Sequence, residues 1–178
     1  MTDAQLIERV RDTALLRGDF TLRSGRKSKY YLDKYRFTTQ PDILAALGER
    51  IARIVAAQDP KVTRLAGPEL GGVPLVAAAS LATGLPCVLI RNAKKDYGTA
   101  KQIEGVLEPG DRVLITEDIA TSGGQSIEAA ELLRDGLGAD VAGVVVVIDR
   151  QEGAREAVEA AGFAFFPLMT KSDLGINE

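Results

Sequence analysis

The chain has 178 residues, of which 46% are hydrophobic and 26% are charged, a composition typical of one folded domain with a sizeable core. Its net charge of −3, its short apolar runs and an N-terminus without a signal-peptide pattern predict neither a nucleic-acid partner nor a membrane span, and a cytoplasmic location is the default expectation. It has no histidine and one cysteine, Cys87, which excludes histidine-dependent catalysis, histidine-containing zinc sites and a disulfide framework, so any metal must be held by oxygens, as Mg²⁺ is.

The first forty residues are expected to combine a helix with a basic hairpin. A capping box and apolar residues at helical spacing predict a helix over residues 3–17, closed by Gly18. Short extended pieces on either side of a Ser-Gly turn predict a hairpin over residues 20–33. Its clustered cations by themselves favour a solvated surface, whereas the adjacent rings of Tyr30 and Tyr31 favour a binding surface on which a flat ring can stack.

From residue 62 onward the pattern alternates between strands and helices. Strands are predicted at residues 62–66, 86–90, 113–115, 141–148 and 163–168. One helix, predicted from Pro41 through Ile54, precedes this region, and helices within it are predicted to end at about Thr83, Leu137 and Ala161. Residues 170–178 are either a helical turn or disordered. This alternation predicts an α/β fold with a mostly parallel central sheet and helices on both faces. Residues 1–40 are expected to form a hood within a single domain that spans residues 1–178.

Two connections in the first half of this region are candidates for anion binding. The glycine-rich turn at residues 67–74 joins a strand to a helix, where backbone N–H groups converge on an anion, although a simple tight turn is about as consistent with it. Residues 91–105 are polar, basic and weakly periodic. A loop of this length suits a cationic lid that closes on a leaving pyrophosphate, and a solvated loop is the alternative.

The most informative stretch is residues 112–126. An apolar run at residues 113–115 leads to two carboxylates, Glu117 and Asp118, and then to a turn of hydroxyl residues and glycines at residues 121–124. The turn and the following helix N-terminus are suited to bind a phosphate, and the carboxylates are suited to hold hydroxyls or a hydrated cation. Phosphoribosyl compounds have this shape. The alternative is an ordinary turn with a solvated acidic pair; the Walker and dinucleotide motifs are both absent.

The strand predicted at residues 141–148 delivers Arg150 at its carboxyl end. Ligands of open parallel sheets bind at that edge. An arginine there can hold a carboxylate with two parallel hydrogen bonds. The alternative is a surface arginine in a salt bridge.

Several of these segments resemble the type I phosphoribosyltransferases, and orotate phosphoribosyltransferases in particular. Residues 112–126 resemble the family's phosphoribosyl pyrophosphate signature, and residues 20–31 resemble its N-terminal hood segment. The residues from Arg91 to Gly98 resemble its mobile catalytic loop, except that Asn92 and Tyr97 stand where the family often has Lys and His. Residues 149–153 match its Asp-Arg-x-Glu-Gly segment, so that the resemblance covers nearly the whole chain.

The resemblance implies a reaction and a set of site residues. The reaction is the transfer of a phosphoribosyl group from phosphoribosyl pyrophosphate to N1 of orotate, in pyrimidine biosynthesis. The implied catalytic residues are Arg91, Lys95, Tyr97 and Asp118. The implied phosphoribosyl pyrophosphate site comprises Gly71, Gly72, Arg91, Lys94, Lys95, Tyr97, Glu117, Asp118, Ile119, Ala120, Thr121, Ser122, Gly123, Gly124 and Gln125. The implied orotate site comprises Arg23, Tyr30, Tyr31, Thr121 and Arg150. The alternative for the two tyrosines is a place in the core of the hood.

The resemblance also implies a cofactor and an assembly. Mg²⁺ would be carried by the pyrophosphate, with Glu117 and Asp118 touching it at most through water. Lys95 and Tyr97 would reach the active site of a partner subunit, which implies a homodimer. Two other functions stay open: a phosphoribosyltransferase for a different base, and a non-catalytic sensor of phosphoribosyl pyrophosphate or nucleotides.

Overall fold

The N-terminal part of the chain forms two helices and a hairpin. The computed structural model describes residues 1–21, 25, 27–92 and 102–176. The first elements are α1 (Asp3–Ala14), β1 (Leu15–Thr21), β2 (Lys27–Leu32) and α2 (Lys34–Thr38). Strands β1 and β2 pair antiparallel, which confirms the predicted hairpin. The capping box is also confirmed, because the Thr2 hydroxyl accepts from the Gln5 N–H while the Gln5 side chain accepts from the Thr2 N–H.

The predicted helix over residues 3–17 was wrong at its C-terminal end. Helix α1 ends at Ala14, and Leu15 already lies opposite Leu32 in the hairpin. Gly18 therefore belongs to strand β1 and does not close the helix. Pairing with a strand that comes later in the chain overrides the local apolar periodicity, which by itself fits a longer helix.

A six-stranded sheet forms the centre of the molecule. Its strands are β3 (Arg64–Pro68), β4 (Cys87–Ile90), β5 (Ile103–Glu104), β6 (Arg112–Ala120), β7 (Asp140–Asp149) and β8 (Phe165–Thr170), in the spatial order β5-β4-β3-β6-β7-β8. All neighbouring pairs are parallel except β4 with the short edge strand β5. The remaining helices are α3 (Pro41–Ala56), α4 (Gly72–Thr83), α5 (Gly124–Glu131) with a π-helical continuation (Leu132–Gly136), and α6 (Ala154–Ala160).

Helices cover both faces of this sheet, as predicted. Ile115 of β6 packs in one apolar cluster with Leu133, which follows α5. Its neighbour Leu114 packs in another cluster with Val76 of α4. Successive strand residues point to opposite faces, so these two clusters lie on opposite sides of the sheet. The α/β class is confirmed.

The hood, residues 1–40, shares its core with the sheet. Leu6 and Phe37 are buried in the same cluster as Ile148 and Met169 from the ends of β7 and β8. We therefore propose that the chain is one domain over residues 1–178. Within the described ranges, no helix combines the length and apolarity needed to cross a lipid bilayer.

Strand β6 is longer than predicted, and this changes the setting of the acidic pair. The apolar run predicted a strand over residues 113–115, but pairing with β7 continues from Glu117 opposite Val146 to Ala120 opposite Asp149. The two carboxylates therefore lie within a central strand. Polar side chains do not end a strand whose backbone N–H and C=O groups are hydrogen-bonded to a neighbouring strand.

Candidate active site

The second glycine turn, residues 121–124, connects β6 to α5. Gly123 has φ +79 and caps the helix, a left-handed conformation that favours glycine. Thr121 and Ser122 are exposed beside it. The predicted order of strand, turn and helix is therefore present, and the turn presents hydroxyls and the N-terminus of an eight-residue helix. This geometry is suited to bind a phosphate.

The acidic pair just before this turn is buried. Glu117 is 4% exposed and Asp118 is 1% exposed, which contradicts the alternative of a solvated pair. Glu117 Oε1 accepts from the Asp118 N–H at 3.1 Å, and Asp118 Oδ1 accepts from the Ile119 N–H at 2.6 Å. Glu117 Oε2 is buried and has no hydrogen-bond partner among the described residues. A buried acceptor without a partner is costly unless a ligand or water supplies one.

Burial and a nearby cation set the charges of this pair. Burial, and after it the charge of Asp118, raises the pKa of Glu117 to about 8. Lys34 Nζ lies 3.0 Å from Asp118 Oδ2. Burial by itself would lower the pKa of Lys34, but the Asp118 carboxylate outweighs it, so that the pKa of Lys34 is raised. At neutral pH Glu117 is therefore mostly protonated, while Asp118 faces an ammonium group.

The first glycine turn, residues 67–74, packs directly against Asp118. A Cβ atom on Gly71 would lie 1.4 Å from Asp118 Oδ2, and one on Gly72 would lie 2.7 Å from the Thr116 carbonyl oxygen. Both positions therefore require glycine. This places the two predicted anion-binding turns on either side of the acidic pair.

Glu69 joins the first glycine turn to its neighbours, although the sequence pattern did not single it out. Its carboxylate accepts from the Asn92 N–H at 2.7 Å. Its carbonyl oxygen lies 3.4 Å from Gln125 Nε2, at the start of α5. The end of β4, the first glycine turn and the second glycine turn are thus connected.

Arg91 lies at the end of β4, at the start of the predicted lid. Its Nη1 is 3.7 Å from Glu104 Oε1, and its Nε is buried without a hydrogen-bond partner among the described residues. The other predicted cations and aromatics of the hood turn and the lid fall outside the described residues: Arg23, Lys94, Lys95 and Tyr97.

Arg150 meets Tyr30 from the hood. Arg150 Nη2 donates to the Tyr30 hydroxyl at 3.2 Å and lies 2.9 Å from Glu152 Oε1. The guanidinium carbon is also 5.8 Å from the centre of the Tyr30 ring. Arg150 Nε is buried and unpartnered among the described residues, and the backbone N–H of Arg150 donates to the Ala120 carbonyl at the end of β6. Arg150 is therefore held at the same sheet edge as the acidic pair.

Tyr31 occupies a different place from Tyr30. It is 44% exposed, and its ring centre lies 5.7 Å from that of Phe20 on the paired strand. Neighbouring residues of a strand point to opposite faces, so the two tyrosines of β2 do not form one surface. Next to Tyr30 there is a cavity of about 330 Å³ lined by Asp19, Lys27, Ser28, Lys29, Tyr30, Glu152 and Lys171.

The described residues provide two buried carboxylates but no metal cage. No group of three or more His, Cys, Asp or Glu side chains among them is arranged to hold an ion. Mg²⁺ prefers six oxygens and keeps several waters, so it fits this site when most of its ligands come from a bound pyrophosphate and water. The buried, unpartnered Oε2 of Glu117 is available for a hydrogen bond with such a water.

The sequence of this chain is similar to that of known proteins. A family model described as "Phosphoribosyl transferase domain" matches residues 35–165. The orotate phosphoribosyltransferase of Pyrococcus abyssi is 43% identical over 171 residues, covering 96% of this chain and 93% of the relative. That of Methanocella arvoryzae is 44% identical over 174 residues, covering 97% of each.

Solved structures agree with these relatives. The Mycobacterium tuberculosis orotate phosphoribosyltransferase in complex with Fe(III) dicitrate has a TM-score of 0.88 and 34% identity, covering 98% of this chain and 99% of that one. The same enzyme in complex with 5-phospho-α-D-ribosyl 1-diphosphate has a TM-score of 0.83 and 34% identity over the same shares.

Proposed function

This chain belongs to the phosphoribosyl transferase domain family, and from that membership we propose that it is an orotate phosphoribosyltransferase. It transfers the phosphoribosyl group of phosphoribosyl pyrophosphate to N1 of orotate and releases orotidine 5′-phosphate and pyrophosphate. The reaction belongs to pyrimidine biosynthesis, and we propose a cytoplasmic location for it. The M. tuberculosis relative binds phosphoribosyl pyrophosphate in its solved structure, and this likeness supports the same ligand here.

The observation that carries the choice of orotate is the contact between Arg150 and Tyr30. Orotate differs from other common bases in its carboxylate, for which a guanidinium is the matching partner. Arg150 presents that group 3.2 Å from the Tyr30 hydroxyl. This is the sheet edge where β6 delivers Glu117 and Asp118, the residues proposed to hold the ribose diol. Thr121 and Arg23 complete the orotate site in this proposal, whereas Tyr31, which the resemblance also implied, lies on the other face of β2 against Phe20.

The proposed chemistry requires charge stabilisation at two places. Positive charge develops at the anomeric carbon as the pyrophosphate departs, and Asp118 is the nearby anion that stabilises it. The departing group carries negative charge, which the first glycine turn offsets with backbone N–H groups and Arg91 and Lys95 offset with cations. Holding sugar and base together supplies much of the rate gain, so no protein nucleophile is required.

Mg²⁺, when bound, neutralises part of the charge on the pyrophosphate. The chain's own residues do the rest of the work. Gly71 and Gly72 let the backbone approach the pyrophosphate, while the stretch from Ile119 to Gln125 wraps the 5-phosphate. Glu117 and Asp118 hold the ribose hydroxyls.

We propose a homodimer in which Lys95 and Tyr97 act in the partner's site. A mixing experiment tests this. Lys95→Ala and Asp118→Asn homodimers should each be inactive, but subunit exchange between them should restore up to about a quarter of the wild-type activity, because half of the dimers are mixed and each mixed dimer has one intact site. If each substitution abolishes activity and subunit exchange restores none of it, the active site is not shared between subunits.

The reaction itself is tested with the purified protein, phosphoribosyl pyrophosphate and Mg²⁺. Pyrophosphate release is measured with orotate, uracil, adenine and hypoxanthine in parallel. Turnover with orotate alone is expected. Turnover with another base would replace the base assignment, and binding of phosphoribosyl pyrophosphate without any turnover would make the protein a sensor.

A further inference from the structure

Lys34 extends from the hood to Asp118, which is proposed to bind the ribose diol, although Lys34 belongs to none of the predicted motifs. It is the first residue of α2, and its Nζ lies 3.0 Å from Asp118 Oδ2 and 3.4 Å from Oδ1. The two residues are 84 positions apart in the chain. The Lys34 side chain is 33% exposed, whereas that of Asp118 is 2% exposed, so the ammonium group lies between solvent and a buried carboxylate.

Each oxygen of Asp118 has a separate constraint. Oδ1 accepts from the Ile119 N–H at 2.6 Å. Oδ2 occupies the space above Gly71, 1.4 Å from where a Cβ atom would be. Lys34 Nζ lies 3.0 Å from this oxygen, which is buried and accepts no hydrogen bond from the described residues. Loss of Lys34 would leave Oδ2 as a buried anionic oxygen without a compensating charge, an arrangement that proteins avoid by reorienting or protonating the group.

The start of α2 holds Lys34 in place for this contact. Asp33 caps the helix, with its carboxylate accepting from the Tyr35 N–H at 3.1 Å. Phe37 of the same short helix is fully buried in the core that the hood shares with the sheet. The ammonium group is therefore delivered by a packed element, and its position depends on the docking of the hood.

We infer that Lys34 is a positioning residue for phosphoribosyl pyrophosphate, which holds the Asp118 carboxylate in the orientation that binds the ribose diol. This inference rests on the proposed function. Lys34 acts through Asp118 and does not contact orotate. It follows that the hood, which the proposal otherwise assigns to the base, also controls recognition of the sugar.

The test is a pair of substitutions at this position. Lys34→Met keeps the length of the side chain and removes its charge, while Lys34→Arg keeps the charge. Lys34→Met is expected to weaken phosphoribosyl pyrophosphate binding about tenfold or more, with little change in the KM for orotate. Lys34→Arg should restore most of the binding. Lys61→Met, which changes an exposed lysine that precedes β3 and belongs to none of these motifs, is the matched control and should behave as wild type.

The result is read from direct calorimetric binding of phosphoribosyl pyrophosphate with Mg²⁺, as well as from kinetics. In an Asp118→Asn background, Lys34→Met should add no further loss, because the carboxylate through which it acts is gone. Unchanged binding in Lys34→Met, no rescue by arginine, or an equal rise in the KM for orotate would each overturn the inference. Failure of the wild type to form orotidine 5′-phosphate would instead overturn the proposed function, while the binding comparison would still decide the role of Lys34.

Discussion

Arg150 and Tyr30 are 120 positions apart in the chain, yet Arg150 Nη2 donates a hydrogen bond to the Tyr30 hydroxyl at 3.2 Å. Arg150 immediately follows β7 of the sheet, and Tyr30 belongs to the hood hairpin. The contact places Arg150, which is proposed to bind the carboxylate of orotate, under the hood.

Substitution of Arg150 by alanine should remove recognition of the orotate carboxylate. Charge-assisted hydrogen bonds contribute about 1.5–3 kcal/mol, so kcat/KM for orotate is expected to fall by about ten- to a hundredfold. Binding of phosphoribosyl pyrophosphate should stay within about twofold of wild type. Arg155→Ala, an exposed arginine of α6 paired with Glu159, is the control. Orotate turnover that survives Arg150→Ala intact would contradict the base assignment.

Tyr30→Phe tests whether the hydroxyl matters through Arg150. It removes one hydrogen bond and keeps the ring, so the KM for orotate should rise about fivefold, as expected from a loss of about 1 kcal/mol. Tyr35→Phe removes an exposed hydroxyl from the same region and should have no effect. An unchanged KM in Tyr30→Phe would mean that Arg150 is oriented by Glu152 alone.

Gly71→Ala should disturb the acidic pair without touching the base site. The new Cβ would overlap Asp118 Oδ2, so the carboxylate has to move away from Lys34. The KM for phosphoribosyl pyrophosphate is expected to rise at least about tenfold, in line with the loss of a charged hydrogen bond. Gly136→Ala, whose nearest contact is a flexible leucine carbon at 3.3 Å, serves as the control. Wild-type kinetics in Gly71→Ala would show that the first glycine turn does not hold Asp118 in place.

Protonation of Glu117 should make stability depend on pH. Its pKa is raised to about 8 by burial and by Asp118, from an ordinary value of 4.5. The folded state therefore binds this proton more tightly than the unfolded state does. The stabilisation that the bound proton gives the folded state is complete below about pH 4.5 and is lost as the pH rises to about 8. The Tm of the wild type, measured by calorimetry without ligand, should fall relative to that of Glu117→Gln across this range. The Tm of Glu156→Gln, an exposed substitution, should follow that of the wild type at each pH. A Tm difference between the wild type and Glu117→Gln that does not change with pH would contradict the raised pKa of Glu117.

A buried ion pair away from the active site should contribute to stability without affecting catalysis. Arg64 and Asp111 form an ion pair, and Asp111 also accepts from the Glu108 N–H at 2.7 Å. Burial by itself would raise the pKa of Asp111, but the Glu108 N–H and then Arg64 lower it below its usual value. Asp111→Ala leaves a buried arginine unpaired and should cost about 3–5 kcal/mol in urea unfolding, with normal kcat for the folded fraction.

The control for this prediction is Asp12→Ala, which breaks an exposed pair with Arg11. Its free energy of unfolding should change by less than about 1 kcal/mol. A loss of activity in folded Asp111→Ala would mean that this end of β6 influences the site at its other end.

The local features of the chain were predictable because neighbouring residues determine them. The run from the apolar strand through Glu117 and Asp118 to Gly123 predicted strand, acidic pair and helix start in the right order. The alternation of strands and helices predicted the α/β sheet. Residues 15–17 were mispredicted as helix, since their partner strand lies further along the chain and the local pattern does not reveal it.

The sequence by itself determined the fold class, the two glycine turns and the chemical types gathered at the sheet edge, all of which depend on contiguous residues. Only the tertiary structure decided that Lys34 faces Asp118, that Tyr30 meets Arg150 while Tyr31 does not, and that the acidic pair is buried. The physical reason is that charge, pKa and hydrogen bonding at these atoms depend on the packing of the hood against the ends of β6 and β7, and packing joins residues that no sequence spacing relates.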